Sequence, residues 1–430
     1  MRTAAPGEAE RALLVPKRPM RPKRNHGLDT LRSVAILFVF AYHYQVFVSG
    51  RPTFGWISTV GWVGVDLFFV LSGYLIGNQL FAGVASGRSL SLASFYIRRL
   101  LRTLPNYYVV LALYFLLPGI MGGKEPPPLW RFVTFTQNIG LQPGTAFSHA
   151  WSLCIEEQFY LLLPLLIVAA RRFGAGLPIR TAWRMPWSMP RSMPWVVPWV
   201  VVVLLGAVGL GIATRSALWF RFGAEAGGAV QGYYPHIYYA SFYRIDEFLP
   251  GVALALLKNF HPQAWARLIQ RGWINLLAAL ISTGLLLWAV LKFYYIEEKG
   301  YGFFMTSFGY SLIACGFGLW VLAALSPSCP LYNMRLPGAA RLAAWSYAIY
   351  LSHKPIAFVL QKRLEGWQLG EATTAGVIAM GSLLGGWLLC RLVETPFMRL
   401  RDRLRPDSFH PASDVELPRG SGVERSVMSG

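Results

Sequence analysis

The residue of this sequence best suited to chemistry is a histidine set deep in an apolar run. His43 closes the stretch GLDTLRSVAILFVFAYH, residues 27–43. An imidazole can take and release a proton near neutral pH, which an isolated serine or tyrosine hydroxyl does not do readily. A helix starting at Leu28 or Thr30 reaches His43 after about 13 residues, roughly 20 Å at 1.5 Å per residue. That depth lies beyond the middle of a hydrocarbon layer ~30 Å thick. Arg32 stands eleven positions earlier, and eleven steps of about 100° return a helix to nearly the same face. Ionisable groups at such depth face a bundle interior or a wet cavity and are functional candidates, although a core histidine bonded to a neighbouring helix is the bland alternative.

Three further stretches carry groups that could work with His43. Asp66 sits in GWVGVDLFFVLSG, 61–73, where Gly61 and Gly64 at helical spacing allow close helix approach. If the first two helices run oppositely, Asp66 has a depth similar to that of His43. Its carboxylate would then fix the tautomer of the imidazole, and a helix cap near the interface is the alternative. Glu156 and Glu157 open the apolar segment SHAWSLCIEEQFYLLLPLL, with Glu156 on the same face as Tyr160. Glu156 could orient His43 or carry a proton, or both acids could simply meet water or headgroups. In FYIRRLLRTLPNYY, Arg98 and Arg102 share a helix face and Arg99 lies one step around. Arginines before a span mark topology, yet guanidinium groups also match phosphate oxygens. Arg244 and Asp246 in YRIDEFLPG are expected to pair with each other, and His353 in SYAIYLSHKP is the next candidate base. Cys154, Cys315, Cys329 and Cys390 show no metal-ligand spacing, and no metal is expected.

The elements that must position these groups are membrane spans. Of 430 residues 54% are hydrophobic and 14% charged, against roughly 25% charge in soluble domains. Apolar runs near 20 residues recur, so the chain is all-α and polytopic, with about ten transmembrane helices near 29–49, 58–81, 100–119, 149–170, 195–214, 237–257, 272–292, 305–325, 342–360 and 372–390. The net charge of +20 comes from cations spread between these runs, which argues against a nucleic-acid partner. Most of them fall in alternate loops, placing both termini in the cytoplasm. The expected organisation is a basic tail 1–27, a membrane domain 28–398 and a short polar tail 399–430. Within the domain, 180–198 alternates Pro, Met, Trp and Arg and reads as a basic interfacial loop against the lipid, and 215–236 reads as a segment covering a cavity mouth.

In this order the motifs resemble those of the membrane-bound acyltransferase-3 family. GLDTLRSVAILFVFAYH is similar to its opening signature, GVDLFFVLSG to its second motif and RRLLRTLP to its basic motif. WSLCIEEQFYLLLP is the most specific match, and RIDEFLPG, SYAIYLSHKP and VETP at 393–396 complete the series. The resemblance implies ten core helices, His43 as the catalytic histidine, and Arg32, Arg98, Arg99 and Arg102 handling a coenzyme A thioester presented from the cytoplasm. It gives Glu156 and Tyr160 as retained polar positions. The expected activity is O-acylation, foremost acetylation from acetyl-CoA, of a carbohydrate or cell-surface glycan at a bacterial inner membrane. Asp66 and Glu156 are the expected supports of His43; Tyr160, Arg244, Asp246 and His353 bind substrate or hold structure. The tail after the tenth span leaves no room for an attached hydrolase-like domain, so a partner protein could complete the transfer. A transporter or flippase is the alternative of a different class, since intramembrane Asp, Glu and Arg are normal there too.

Overall fold

The computed structural model describes residues 25–86, 88–173, 196–223, 232–296, 300–405 and 407–409. Its ten long helices are α1 (His26–Tyr44), α2 (Val63–Ala85), α3 (Leu92–Leu116), α4 (Trp151–Phe173), α5 (Val196–Phe222), α6 (Leu249–Phe260), α7 (Gly272–Phe293), α8 (Tyr310–Leu325), α9 (Ala339–Leu364) and α10 (Glu371–Leu389). Among the described residues the only strands are the two-residue pair Tyr295–Ile296 and Gly300–Tyr301. Among the described residues seven helical stretches are long and apolar enough to cross a membrane, including His26–Ser49, Val63–Ala85 and Ser148–Ala169. The chain is therefore an all-α, multi-pass membrane protein. Neither α3, α6 nor α9 is part of these seven stretches; α3 and α9 carry several charges and α6 is short.

Local sequence sets the helix starts. Asn25 accepts a hydrogen bond from the Leu28 N–H at 3.0 Å, and Ser91 caps α3 through the Ser94 N–H; both side chains satisfy donors that the first helical turn leaves open. Glycines set the close approaches. A Cβ on Gly64 would lie 2.5 Å from the Ala35 carbonyl oxygen, so α2 presses directly on α1. The terminal glycines of two motifs do the same for α2 and α6: a Cβ on Gly73 would meet the Phe248 oxygen at 2.2 Å, and one on Gly251 the Val70 oxygen at 2.1 Å. Backbones this close admit no side chain, which is the small-residue logic of membrane helix packing. Ser33 of α1 donates to the Ala339 carbonyl at 2.8 Å and ties the first helix to the start of α9.

The expected continuous span 237–257 is corrected. Tyr234–Tyr238 form one wide helical turn, Ser241–Tyr243 and Ile245–Phe248 two tight ones, and only then does α6 begin. Buried charges hold this broken stretch, so polar side chains supply contacts that a continuous helix would not need. The expected fifth span, 195–214, continues as helix to Phe222, so 215–222 belongs to a span and not to a covering loop. The tails 1–24 and 410–430 and the basic stretch 180–195 lie outside the described residues.

Candidate active site

Arg32, Arg99, Arg102, Glu156 and Tyr160 line one cavity and His43 a neighbouring one, and the two share Val65 in their walls. The first, of about 360 Å³, is lined by Arg32 of α1, Arg99 and Arg102 of α3, and Glu156, Glu157 and Tyr160 of α4. Tyr160 donates to Glu156 at 2.7 Å, and the Arg99 guanidinium lies 5.2 Å from the Tyr160 ring centre while donating to Gln79 at 3.2 Å. No carboxylate reaches ion-pair distance of Arg32, Arg99 or Arg102 among the described residues. Three guanidinium groups thus face one space with their anion-binding capacity uncommitted.

The expected pairing of Arg98 with Arg102 in this site is corrected. Arg98 turns to the C-terminal helix Thr395–Leu404, donating to the Arg405 carbonyl and lying 3.8 Å from Asp402. Positions three apart share a helix face as well as positions four apart, and it is the pair Arg99 and Arg102 that looks into the cavity.

The second cavity, of about 260 Å³, is walled by His43, His149, Ser148, Trp62, Trp151 and a set of tyrosines that includes Tyr42, Tyr234, Tyr238, Tyr239 and Tyr301. His43 shares a 2.7 Å hydrogen bond with His353 of α9, Nδ1 to Nε2. His149 stands edge-on to both rings, with centroid distances of 6.2 Å and 5.5 Å. Its position follows from Pro355. A proline inside α9 has no N–H for the carbonyl four residues back, and that carbonyl, of Leu351, accepts a 3.1 Å hydrogen bond from His149 Nε2–H instead. Lys354, beside His353, donates to Ser148 Oγ at 3.2 Å and sits 4.3 Å from the Phe47 ring centre. Between the cavities, Tyr350 donates to the His149 carbonyl and accepts from Ser152 at 2.6 Å.

Neither expected acid supports His43. Asp66 accepts a 2.9 Å ion pair from Arg244, both side chains being wholly buried, and Arg244 also pairs with Glu247. The guanidinium lies 3.9 Å from the Tyr310 ring centre. Glu156 is turned into the arginine cavity. The expected Arg244–Asp246 pair is also replaced. Asp246 takes two hydrogen bonds from Arg215 of α5, at 2.9 and 3.0 Å, and one from Ser311 of α8 at 2.5 Å. The helix break redirects these charges: with tight turns at 241–248, neighbouring side chains no longer follow one helical face, and Asp66 was nearer the arginine than the histidine. Sequence reasoning missed Arg215, Glu247, Lys354 and His149. The signal for His149 was Pro355, which frees the carbonyl that the ring binds.

Among the described residues, then, a helical membrane bundle holds a histidine-bearing cavity beside an arginine-bearing one. The chain belongs to the acyltransferase-3 family: the family model, an acyltransferase domain, matches residues 25–391. It is 29% identical over 412 residues to the peptidoglycan O-acetyltransferase OatA of Listeria monocytogenes, covering 89% of this chain and 57% of that protein. Similarity to YrhL of Bacillus subtilis is 29% over 350 residues, 77% of this chain and 48% of YrhL. The O-acetyltransferase OatA of Staphylococcus aureus is 32% identical over 163 residues, 34% of this chain and 25% of that protein. The chain thus spans about half the length of the first two relatives and a quarter of the third. No solved structure matches it.

Proposed function

We propose that this protein is a membrane O-acetyltransferase that moves an acetyl group from acetyl-CoA to a hydroxyl of a cell-wall glycan. The observation that carries the reading is the shared wall at Val65: three uncommitted guanidiniums on one side and a histidine among aromatic rings on the other. The arginine cavity suits the phosphates of coenzyme A, and tyrosine and tryptophan faces suit the apolar faces of sugar rings while their polar edges bind hydroxyls. The names of the first two relatives, both peptidoglycan O-acetyltransferases, the second a putative one, support a glycan acceptor.

In this reading His43 is the general base. It takes the proton of the acceptor hydroxyl as that oxygen attacks the thioester carbonyl, the carbon–sulfur bond breaks, and the leaving thiolate takes the proton back. The donor enters from the cytoplasm of a bacterial inner membrane, with both chain termini on that side and lipid around the bundle. Only the acyl group crosses, and a partner protein could carry it onward to the final acceptor. Single-cysteine labelling near Arg98 and near Lys124 tests the orientation: the first loop is expected to be shielded from an external impermeant reagent and the second to react.

The activity is tested with purified protein in proteoliposomes, labelled acetyl-CoA inside and glycan fragments outside. Acceptor-dependent release of coenzyme A and a gain of one acetyl mass on the glycan are expected. His43→Ala should lower turnover by roughly a thousandfold, within the range of general-base effects, while donor binding stays intact. Near-normal turnover of His43→Ala would overturn the assignment of the base. A glycan that crosses the membrane with its mass unchanged would overturn the reaction in favour of transport.

A further inference from the structure

We propose that His353 is a positioning residue that sets the tautomer of His43 and so turns the basic nitrogen of that ring to the cavity. The inference rests on the reading of His43 as the base, and its chemistry follows from the order of hydrogen bonds. His353 Nδ1 lies 3.0 Å from the Ile349 carbonyl oxygen, one turn back on α9. A carbonyl can only accept, and its second lone pair is open to a side chain even inside a helix. The proton of His353 is therefore on Nδ1. The ring is 2% exposed, stands next to the Lys354 side chain, and has no carboxylate at ion-pair distance among the described residues, so it is neutral. A neutral imidazole carries one proton, which leaves His353 Nε2 as an acceptor.

That nitrogen faces His43 Nδ1 at 2.7 Å, so the proton between the rings belongs to His43. The two rings are within 5° of parallel and their centroids are 4.9 Å apart, the separation that two ring radii added to the nitrogen distance produce. The contact is a linear in-plane hydrogen bond and not a face-to-face stack. With Nδ1 protonated, His43 has its lone pair on Nε2. Free histidine side chains prefer the opposite form, with the proton on Nε2, so this arrangement requires the partner. No hydrogen bond to Nε2 is formed among the described residues, and the ring is only partly buried in the cavity wall. When Nε2 takes the acceptor's proton, Nδ1–H keeps donating to His353, and a neutral partner does for His43 what a carboxylate does in other histidine bases. This is the role assigned above to Asp66 or Glu156, which are engaged elsewhere.

The test has two arms. In the first, the protein is labelled with nitrogen-15 histidine in nanodiscs, and the His43 signals are identified by their loss in His43→Asn. A protonated Nδ1 and a bare Nε2 are expected, with a shift toward the opposite tautomer in His353→Leu. A wild-type ring protonated on Nε2, or a tautomer unchanged in His353→Leu, overturns the proposal. This arm needs no turnover, so failure of the acyltransferase reading and failure of the tautomer assignment are separate results. In the second arm, His353→Leu should lower kcat at least tenfold with both KM values within about twofold. His353→Gln, whose amide can donate to Ile349 and accept from His43, should recover most of that loss. Equal loss in Leu and Gln, or a loss expressed only in KM, overturns the positioning role.

Discussion

Two groups of arginines lie inside this bundle, and they are treated in opposite ways. Arg215 and Arg244 are wholly buried, each with carboxylates, carbonyls or hydroxyls at hydrogen-bonding distance of its guanidinium. Arg32, Arg99 and Arg102 line a cavity in which Glu156 is held by the Tyr160 hydroxyl and Arg99 by the neutral amide of Gln79, with no carboxylate at ion-pair distance of the three among the described residues. The difference separates structure from ligand binding by a physical criterion: a cation satisfied on all sides holds helices together, whereas one satisfied only in part is ready for an anion. The first group ties α2, α5 and α8 to the turns at 241–248; the second leaves room for phosphates.

The largest expected effect breaks the comparison on its structural side. Arg244→Leu leaves Asp66 and Glu247 buried without their cation, and removing one partner of such a pair costs about 3–5 kcal/mol. The unfolding temperature in detergent should drop markedly, and Arg215→Leu, which abandons Asp246 and Ser311, should act in the same direction. A melting curve unchanged in either variant would mean that these charges are not what holds the broken segment.

On the ligand side the effect is smaller and should appear in binding alone. Arg99→Lys and Arg102→Lys keep the charge but lose the planar fork, and a tenfold rise in donor KM, about 1.4 kcal/mol, is the expected size. Arg98→Lys should change donor KM less than twofold, because Arg98 engages the C-terminal helix. Donor saturation curves for the three variants decide it. A large effect at Arg98 with none at Arg99 would return the donor site to the face expected from spacing by four.

What could be read in advance follows the same division. Most helices were legible because their spans repeat an apolar signal over about 20 residues, and Arg32, His43, Arg99, Arg102 and Glu156 stood out as candidates because they are polar groups that such spans do not tolerate without cause. The partners were not legible. Asp66 looked like a support for His43 because opposed helices give the two residues similar depth, but depth does not fix rotation about the helix axis. The close approaches at Gly61 and Gly64 against α1, and between Gly73 and Gly251 and their neighbours, fix how α2 is rotated, and with it the direction of Asp66. Arg244 and Asp246 looked like a pair because they are two apart, and the tight turns between them point them to different helices. His149 escaped because its reason lies in α9, far along the chain, in the carbonyl that Pro355 leaves open.

The smallest expected effect sharpens the contrast from the other cavity. Tyr239 lines the space beside His43, its ring 5.4 Å from that of Trp151, and Asn138 holds its backbone carbonyl at 2.8 Å, so a change of side chain leaves the main chain anchored. If the aromatic wall seats a sugar ring, Tyr239→Leu removes one face and should raise acceptor KM roughly three- to fivefold, on the order of 1 kcal/mol for a single aromatic contact. Tyr239→Phe keeps the face and loses only the hydroxyl, so it separates stacking from hydrogen bonding. Donor KM should stay constant in both variants, the mirror image of Arg99→Lys. Were Tyr239→Leu to weaken donor and acceptor alike, the two cavities would be acting as one site, and the division of labour across Val65 would have to be abandoned; a change in acceptor KM alone, alongside a change in donor KM alone for Arg99→Lys, is the pattern that two separate ligand seats require.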